Sequence, residues 1–390
     1  MSRLATRLRL PRRDGSLASY VPGPASSFRR PEKPLRTRVA IAAAHVVADP
    51  LAENQPGGPA HLDWEATLAY RRYLWSWGLG VAESMDTAQR GMGLDWPAAA
   101  ELIRHSLREA RATGGQVVSG AGTDHLAPGS ARTVADVERA YAEQCAVVED
   151  EGGQVVLMAS RELARIARGP RDYERVYGRI LDALHKPAII HWLGEMFDPA
   201  LAGYWGAAGL DRATENCLAM IAANAAKVDG VKVSLLDARR EIDLRRRLPA
   251  GVRMYTGDDF NFPSLIEGDA GGHSDALLGI LDAIAPAASA ALQALDAGHI
   301  DAYRQVLEPT LALSRHIFQA PTYHYKTGIV FLAYLNGHQR HFRMLAAQEG
   351  MRSVLHLAEL FQLADEAHLF ADPEQACERM RAFLLLAGVD

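Results

Sequence analysis

The chain has 390 residues, of which 48% are hydrophobic and 23% charged, so it can bury the core of one large domain or two medium ones. Its net charge of −5 at pH 7 gives no reason to expect nucleic acid or a membrane as the main partner. The three cysteines lie far apart without CxxC spacing, which argues against a disulfide framework and a thiolate metal site. We therefore expect a protein of the reducing cytoplasm.

Residues 1–37 differ from the remainder, because they carry many arginines, several prolines and few acids. They lack the apolar core of a secretory signal. Prolines such as Pro11 and Pro22 also disfavour an amphipathic helix. We predict an irregular N-terminal arm that lies over the domain surface, and a partly disordered tail is the alternative.

From residue 38 onward, short apolar segments typical of strands alternate with helical segments. Asp63 and Asp95 are placed as helix N-caps, and Gly114 and Gly115 end the second helix. The predicted strands are 38–47, 80–84, 116–120, 155–159, 188–192, 230–235, 252–256 and 276–281. The predicted helices between them are 63–77, 95–113, 133–151, 171–184, 213–226, 239–248 and 262–267.

Eight strand–helix repeats over about 250 residues match the size of a (β/α)8 barrel. The strand runs are apolar rather than alternating, as in parallel strands covered by helices. A doubly wound sheet is the alternative, although it usually has fewer strands and a glycine-rich first turn. We predict an α/β fold with a TIM barrel over 38–286 and a C-terminal helical region over 287–390. Its predicted helices are 287–297, 300–317, 327–349 and one from residue 373.

Lys232 interrupts the apolar sixth strand. A cation on a buried strand is costly to desolvate. The amine could therefore be paired with the carboxylate of Asp258 or Asp259. It could instead be neutral in a dry pocket with a lowered pKa, which would make it a nucleophile able to form a Schiff base with a carbonyl substrate.

Four segments resemble, in order and spacing, the dihydrodipicolinate synthase / N-acetylneuraminate lyase superfamily of class I aldolases. Val-Asp-Gly-Val-Lys-Val-Ser at 228–234 resembles the lysine strand of the family, and Tyr-Thr-Gly-Asp-Asp at 255–259 resembles its Ser-Gly-Asp-Asp segment. Residues 118–123 and 323–326 resemble the segments after strand three and before a long C-terminal helix. The resemblance implies a TIM barrel with a C-terminal helical appendage, and a Schiff-base lysine on strand six.

Two family motifs are altered, which marks a divergent branch. The family has Gly-Thr-Thr-Gly-Glu after strand two, where the threonines hold the substrate carboxylate; here Thr87 remains and Ala88 replaces its partner. The family's proton-shuttle tyrosine after strand five is replaced by His191. The resemblance therefore assigns acid–base chemistry to His191 and substrate binding to Thr87. Asp86 and Arg90 are further candidates for substrate binding. The guanidinium of Arg90 could bind a substrate carboxylate bidentately.

Further polar residues follow the predicted strands, at the face where barrel active sites are built. We assign substrate binding to Glu195 and Asp258, although Asp258 could instead cap the next helix. A metal site is a third possibility, because imidazoles and carboxylates suit a divalent ion, but no pair has tight ligand spacing. Its candidate ligands would be His45, Asp124, His125, His191 and Glu195.

These observations predict a Schiff-base-forming lyase that cleaves or dehydrates a 2-oxo acid or sugar-derived acid, with Lys232 and His191 as catalytic residues. We expect a small-molecule carbonyl substrate, no cofactor, and a homodimer or homotetramer. A metal-assisted isomerase or hydratase and a non-catalytic sugar-binding barrel are the alternatives.

Overall fold

The computed structural model describes residues 7–389. Its N-terminal arm contains one regular element, a hairpin of antiparallel strands β1 (Leu8–Pro11) and β2 (Leu17–Tyr20). The arm then packs on the C-terminal helices, where the Tyr20 hydroxyl donates to Asp365 at 2.6 Å. The part of the arm prediction that concerns residues 1–6 lies outside the described residues.

Eight parallel strands close into a barrel in which each strand pairs with the next along the chain and the last pairs with the first. Every predicted strand overlaps one of them, so the predicted TIM barrel is confirmed. The barrel strands are β3 (Ala40–Ala43), β4 (Gly80–Glu83), β5 (Val117–Ala121), β6 (Gln154–Leu157), β7 (Ala188–Leu193), β8 (Val228–Ser234), β9 (Arg253–Thr256) and β10 (Asp275–Leu278).

Helices follow the strands and cover the outside of the barrel. The predicted N-caps are confirmed, because Asp63 accepts from Ala66 N and Asp95 from Ala98 N, each at 3.0 Å. The short α4 was not predicted. The barrel helices are α1 (Trp64–Ser76), α2 (Trp96–Thr113), α3 (Val134–Asp150), α4 (Arg161–Ile166), α5 (Pro170–Ala183), α6 (Leu210–Ala223), α7 (Ala238–Arg247), α8 (Phe262–Glu267) and α9 (Ile280–Ala283).

The C-terminal region is helical, as predicted, but one helix differs. The predicted helix over 327–349 ends at Leu335, because Asn336 and Gly337 stop it and Gly337 has a φ of +85°. A further helix at Val354–Glu366 was not predicted. The helices are α10 (Ala285–Asp296), α11 (Ile300–Ile317), α12 (Tyr325–Leu335), α13 (Val354–Glu366) and α14 (Pro373–Leu386).

These helices share one apolar core with the barrel, in which Leu278 of β10, Phe318 after α11 and Phe361 of α13 are all buried. The C-terminal region is therefore fixed against the barrel and can contribute to its mouth. Within residues 7–389, the helices are too short or too polar for any of them to cross a membrane.

Candidate active site

Lys232 lies on the inner face of the barrel. It is in register with His191 on β7 and with Tyr255 on β9. Side chains in direct register on neighbouring strands point to the same face of a sheet. Tyr255 packs in the barrel interior with Ile189, so Lys232 and His191 also point inward. Lys232 is 7% exposed.

Gly257, at the end of β9, makes room for the lysine. A Cβ atom at this position would lie 2.9 Å from Lys232 Cε and 2.2 Å from Ser234 Oγ. Such distances are far below van der Waals contact, so any larger residue would displace the lysine side chain. The glycine in Tyr-Thr-Gly-Asp-Asp therefore has a steric role next to the candidate nucleophile.

The amine of Lys232 has no hydrogen bond or ion pair within residues 7–389, so the predicted alternative of a direct pair with Asp258 or Asp259 is not observed. Burial lowers the pKa of Lys232, while the charges of Asp86 and Asp259 oppose that shift. Burial likewise raises the pKa of Asp259 to about 7, against a hydrogen bond from Ile280 N at 2.9 Å. Both shifts favour the neutral forms of the two groups.

His191 is 1% exposed and its Nε2 lies 3.2 Å from Ser234 Oγ. Burial, with a smaller contribution from the Lys232 charge, holds the pKa of His191 well below its usual value. Its Nδ1 is buried and has no partner among residues 7–389. Both effects favour the neutral imidazole, whose Nδ1 lone pair or N–H is left without a partner.

Thr87 meets a residue from the C-terminal helices, which sequence analysis did not assign to the site. The Tyr325 hydroxyl lies 2.8 Å from Thr87 Oγ1, and the Tyr325 ring stacks on Phe318 with ring centroids 4.3 Å apart. The charges of Asp86 and Asp259 both raise the pKa of Tyr325, although burial is the largest cause. The first turn of α12 thus brings a phenol to the barrel mouth.

Lys326, the next residue, is a second buried amine that sequence analysis did not assign. Its Nζ donates to Tyr323 O at 3.0 Å and lies 4.6 Å from the centre of the Tyr325 ring. Burial lowers the pKa of Lys326 to about 8, against the charge of Asp86. No local spacing links residues 325 and 326 to strand six, so only the tertiary fold reveals them.

The predicted role of Arg90 as a receptor for the substrate carboxylate is not supported. Its guanidinium donates to both carboxylate oxygens of Asp124 at 2.6 Å and to Gln144 Oε1 at 2.6 Å. It also donates to Ser84 O at 3.0 Å and Gly120 O at 3.3 Å. Because a guanidinium has five N–H groups, all its donors are occupied. Arg90 instead holds the loop after β4 against β5.

The alternative metal site is not assembled either. Its candidates were His45, Asp124, His125, His191 and Glu195. His45 lies 2.9 Å from Asp282, and His125 lies 3.0 Å from Glu143, while Asp124 pairs with Arg90. Over residues 7–389, no three His, Cys, Asp or Glu side chains are grouped to hold a metal ion. His45, Asp124 and His125 are instead used in contacts with other side chains of the protein.

The two remaining predicted residues differ in their surroundings. Asp258 accepts from Phe260 N and Asn261 N at 2.9 and 3.1 Å and from Asn261 Nδ2 at 2.9 Å. It therefore organises the turn before α8, which was the alternative to its predicted contact with substrate. Glu195 is exposed in the turn after β7, and its predicted contact stays a prediction.

A cavity of about 250 Å³ opens at this end of the barrel. It is lined by Asp86 and His191, and by apolar side chains such as Met158 and Leu193. Ligand pockets usually measure about 300–1,000 Å³, so this cavity suits a small metabolite rather than a polymer.

Comparison with known proteins places the chain in a family. A family model described as "Protein of unknown function (DUF993)" matches residues 8–389. The chain belongs to the DUF993 family. No curated protein sequence matches it.

Several solved structures share its fold. A putative dihydrodipicolinate synthetase from Pseudomonas aeruginosa superposes with a TM-score of 0.64 at 17% identity, covering 85% of this chain and 99% of that one. The 4-hydroxy-tetrahydrodipicolinate synthase of Methylacidiphilum fumariolicum SolV gives 0.64 at 13% identity, covering 88% and 98%. The chloride-inhibited dihydrodipicolinate synthase of Acinetobacter baumannii, complexed with pyruvate, gives 0.60 at 14%, covering 86% and 100%. The resemblance found in the sequence is thus confirmed for the fold of this DUF993 member.

Proposed function

We propose that this protein is a Schiff-base-forming lyase that cleaves or dehydrates a 2-oxo acid or sugar-derived acid. The observation that carries the proposal is the Lys232 amine, which is buried on the inner face of strand β8, has a lowered pKa, and has no direct partner in the described chain. A structural lysine would be expected to have a hydrogen-bonded counterion. A nucleophilic lysine needs a neutral amine.

In the proposed reaction, the Lys232 lone pair attacks the carbonyl carbon of the substrate. The carbonyl oxygen leaves as water, and an iminium remains. In cleavage, a base then removes the proton of a hydroxyl group on C4, the C3–C4 bond breaks, the distal fragment leaves as an aldehyde, and the bond electrons move into the iminium to give an enamine. In dehydration, the base instead removes a proton from C3 to give the enamine, which expels the C4 hydroxyl group as water. Addition of water, preceded in cleavage by protonation of the enamine carbon, releases the product and restores Lys232.

His191 suits the role of the base, because it is neutral and in register with Lys232. The Tyr325–Thr87 hydroxyl pair is a second group able to move a proton, and it stands where the carboxyl group of a Schiff base could be held. The fold shared with a synthase complexed with pyruvate supports pyruvate as the first probe.

The test is reduction with borohydride in the presence of pyruvate, followed by peptide mass analysis. The chain has five lysines, at positions 33, 186, 227, 232 and 326. We expect one reduced pyruvate on Lys232, none in Lys232→Gln, and an unchanged adduct in the exposed control Lys186→Gln. An adduct on Lys326 would identify this residue of α12 as the nucleophile instead of Lys232. No adduct with pyruvate or with longer 2-oxo and sugar acids, together with a fully active Lys232→Gln, would reject the proposal.

The assembly into a homodimer or homotetramer also stays a prediction. Sedimentation equilibrium of the full chain would check it, since a monomer at all concentrations would contradict it.

A further inference from the structure

Arg161 stands at the outer end of a cavity that is also lined by His191, the residue paired with Lys232 on the neighbouring strand. It is the first residue of α4, directly after strand β6, and its side chain is 54% exposed, whereas His191 is buried at the inner end. Both residues line the same cavity. A ligand that lies in this cavity with one end beside His191 therefore extends toward Arg161.

The guanidinium of Arg161 is held in place but only partly used. Its Nε lies 2.5 Å from Asp198 Oδ2, and Asp198 is itself fixed by accepting from Ala200 N at 3.1 Å. The backbone of Gly91 lies beside the guanidinium, since a Cβ atom on Gly91 would be 3.6 Å from Arg161 Nη1 and 3.8 Å from Nη2. Within residues 7–389, neither Nη1 nor Nη2 donates a hydrogen bond.

This arrangement contrasts with the other arginine of the cavity. Arg90 has all its donors occupied by protein acceptors. The two Nη atoms of Arg161 form a planar edge with the spacing of a carboxylate, which accepts two parallel hydrogen bonds from such an edge. The Lys326 charge acts in the same region, because Arg161 and Asp198 both influence the pKa of Lys326.

The charges nearby limit the kind of anion. The carboxylates of Asp86, Asp124, Glu162 and Asp198 also line the cavity, so a doubly charged group such as a phosphate ester beside Arg161 would be repelled more strongly than a singly charged carboxylate. The walls between the two ends include Met158, Leu193 and Leu201, which suit a short hydrocarbon segment. A monoanionic group at the end of a short chain satisfies these conditions.

We infer that Arg161 binds a second carboxylate of the substrate, so that the substrate is a 2-oxo acid with a carboxylate at its far end. The inference rests on the proposed function and specifies its substrate class. Lys232 receives the carbonyl at the inner end, and the Nη edge of Arg161 receives the distal carboxylate. Arg161 is thus a specificity-determining residue.

The test compares matched 2-oxo acids by borohydride trapping at Lys232. 2-Oxoglutarate and 2-oxoadipate carry the distal carboxylate at two chain lengths, while 2-oxopentanoate and 2-oxohexanoate carry a methyl group in its place. We expect half-maximal trapping at a concentration about tenfold lower, or more, for at least one diacid than for its methyl counterpart, as a charge-assisted hydrogen-bond pair provides. Arg161→Gln should bring that ratio to about one.

Arg168→Gln is the control, because the Arg168 side chain is 91% exposed and does not line the cavity. It should keep the wild-type ratio. Trapping at Lys232 without preference for either diacid, or a preference that survives in Arg161→Gln, overturns the inference while the proposed function stands. No adduct at Lys232 with any of the four acids, while pyruvate is still trapped there, also overturns the inference and leaves the proposed function standing. Inorganic phosphate that competes more strongly than acetate would also overturn the assignment to a carboxylate.

Discussion

His191 and Lys232 occupy directly paired positions on the neighbouring strands β7 and β8, with both side chains inside the barrel. The Lys232 charge helps to lower the pKa of His191, after burial. Two basic groups this close cannot both be protonated without a large electrostatic cost. Under the proposed function, Lys232 is the nucleophile of this pair and His191 is the proton acceptor.

This relationship predicts how a His191→Gln variant behaves. Pyruvate should still form the Lys232 adduct, because the nucleophile is intact. Exchange of the pyruvate methyl protons for deuterium, followed by NMR, should slow about 100-fold, which is typical for loss of a general base. Ser234→Ala serves as the control, since it removes only the hydroxyl 3.2 Å from His191 Nε2. Equal exchange rates in His191→Gln and wild type would assign the base elsewhere.

Asp86 should set the pH range in which Lys232 reacts. Its negative charge raises the pKa of Lys232 against the larger effect of burial. Asp86→Asn removes that charge, so the Lys232 pKa falls further and the neutral amine persists to lower pH. The midpoint of the pH profile for pyruvate trapping should therefore move to lower pH.

The matched control for this change is Asp211→Asn, at a side chain that is 94% exposed on α6. Its midpoint should equal that of the wild type. A midpoint that rises in Asp86→Asn would show that the carboxylate does not interact with the amine as the structure places it.

Thr87 and Tyr325 should be energetically coupled, because their hydroxyl groups are 2.8 Å apart and buried. Thr87→Val and Tyr325→Phe each remove one hydroxyl, and the double variant removes both. We expect a coupling of about 1 kcal/mol in the free energy of unfolding, as for a buried hydrogen bond. The measurement is urea denaturation of the four proteins. Additive losses, with no coupling, would mean that the two hydroxyls do not interact.

The sequence was sufficient for the barrel, since each strand has an apolar run and helices such as α1 and α2 begin at an aspartate N-cap. The positions of Lys232 and His191 on the inner face could also be predicted, because a charged or polar side chain in a buried strand is costly, whereas their roles stay predictions. The helix boundaries in the C-terminal region were harder to predict from the sequence. Apolar residues recur after Asn336 and Gly337, and the prediction of a helix over 327–349 followed them. It overlooked the helix stop that Asn336 and Gly337 provide.

Contacts made by loops could not be predicted from the sequence. Arg90 and Arg161 both follow strands and look alike in the chain, yet one is fully hydrogen-bonded to Asp124 and its neighbours and the other has a free edge. The placement of Tyr325 depends on how α12 docks on the barrel. Contacts between residues that lie far apart in the sequence depend on how whole helices and strands pack, and local residue spacing does not reveal them.

Gly257 offers a final prediction, because its hydrogen atom occupies the place where a methyl group would meet Ser234 Oγ at 2.2 Å, the Val233 carbonyl oxygen at 2.7 Å and Lys232 Cε at 2.9 Å. Two of these atoms can move, but the carbonyl accepts from Gly257 N at 2.9 Å between β8 and β9. Gly257→Ala should therefore destabilise the protein by about 1–3 kcal/mol, as overpacking of a core does.

The same variant should also lose pyruvate trapping in the folded fraction, because the Lys232 side chain has to move away from the added methyl group. Gly209→Ala is the control, since no atom lies within 4 Å of the position of its Cβ and its residue precedes α6 at the surface. Urea denaturation and trapping below the unfolding transition separate the two effects. Normal trapping in a destabilised Gly257→Ala would show that the lysine does not depend on this glycine, whereas loss of both ties the reactive position of Lys232 to the end of β9.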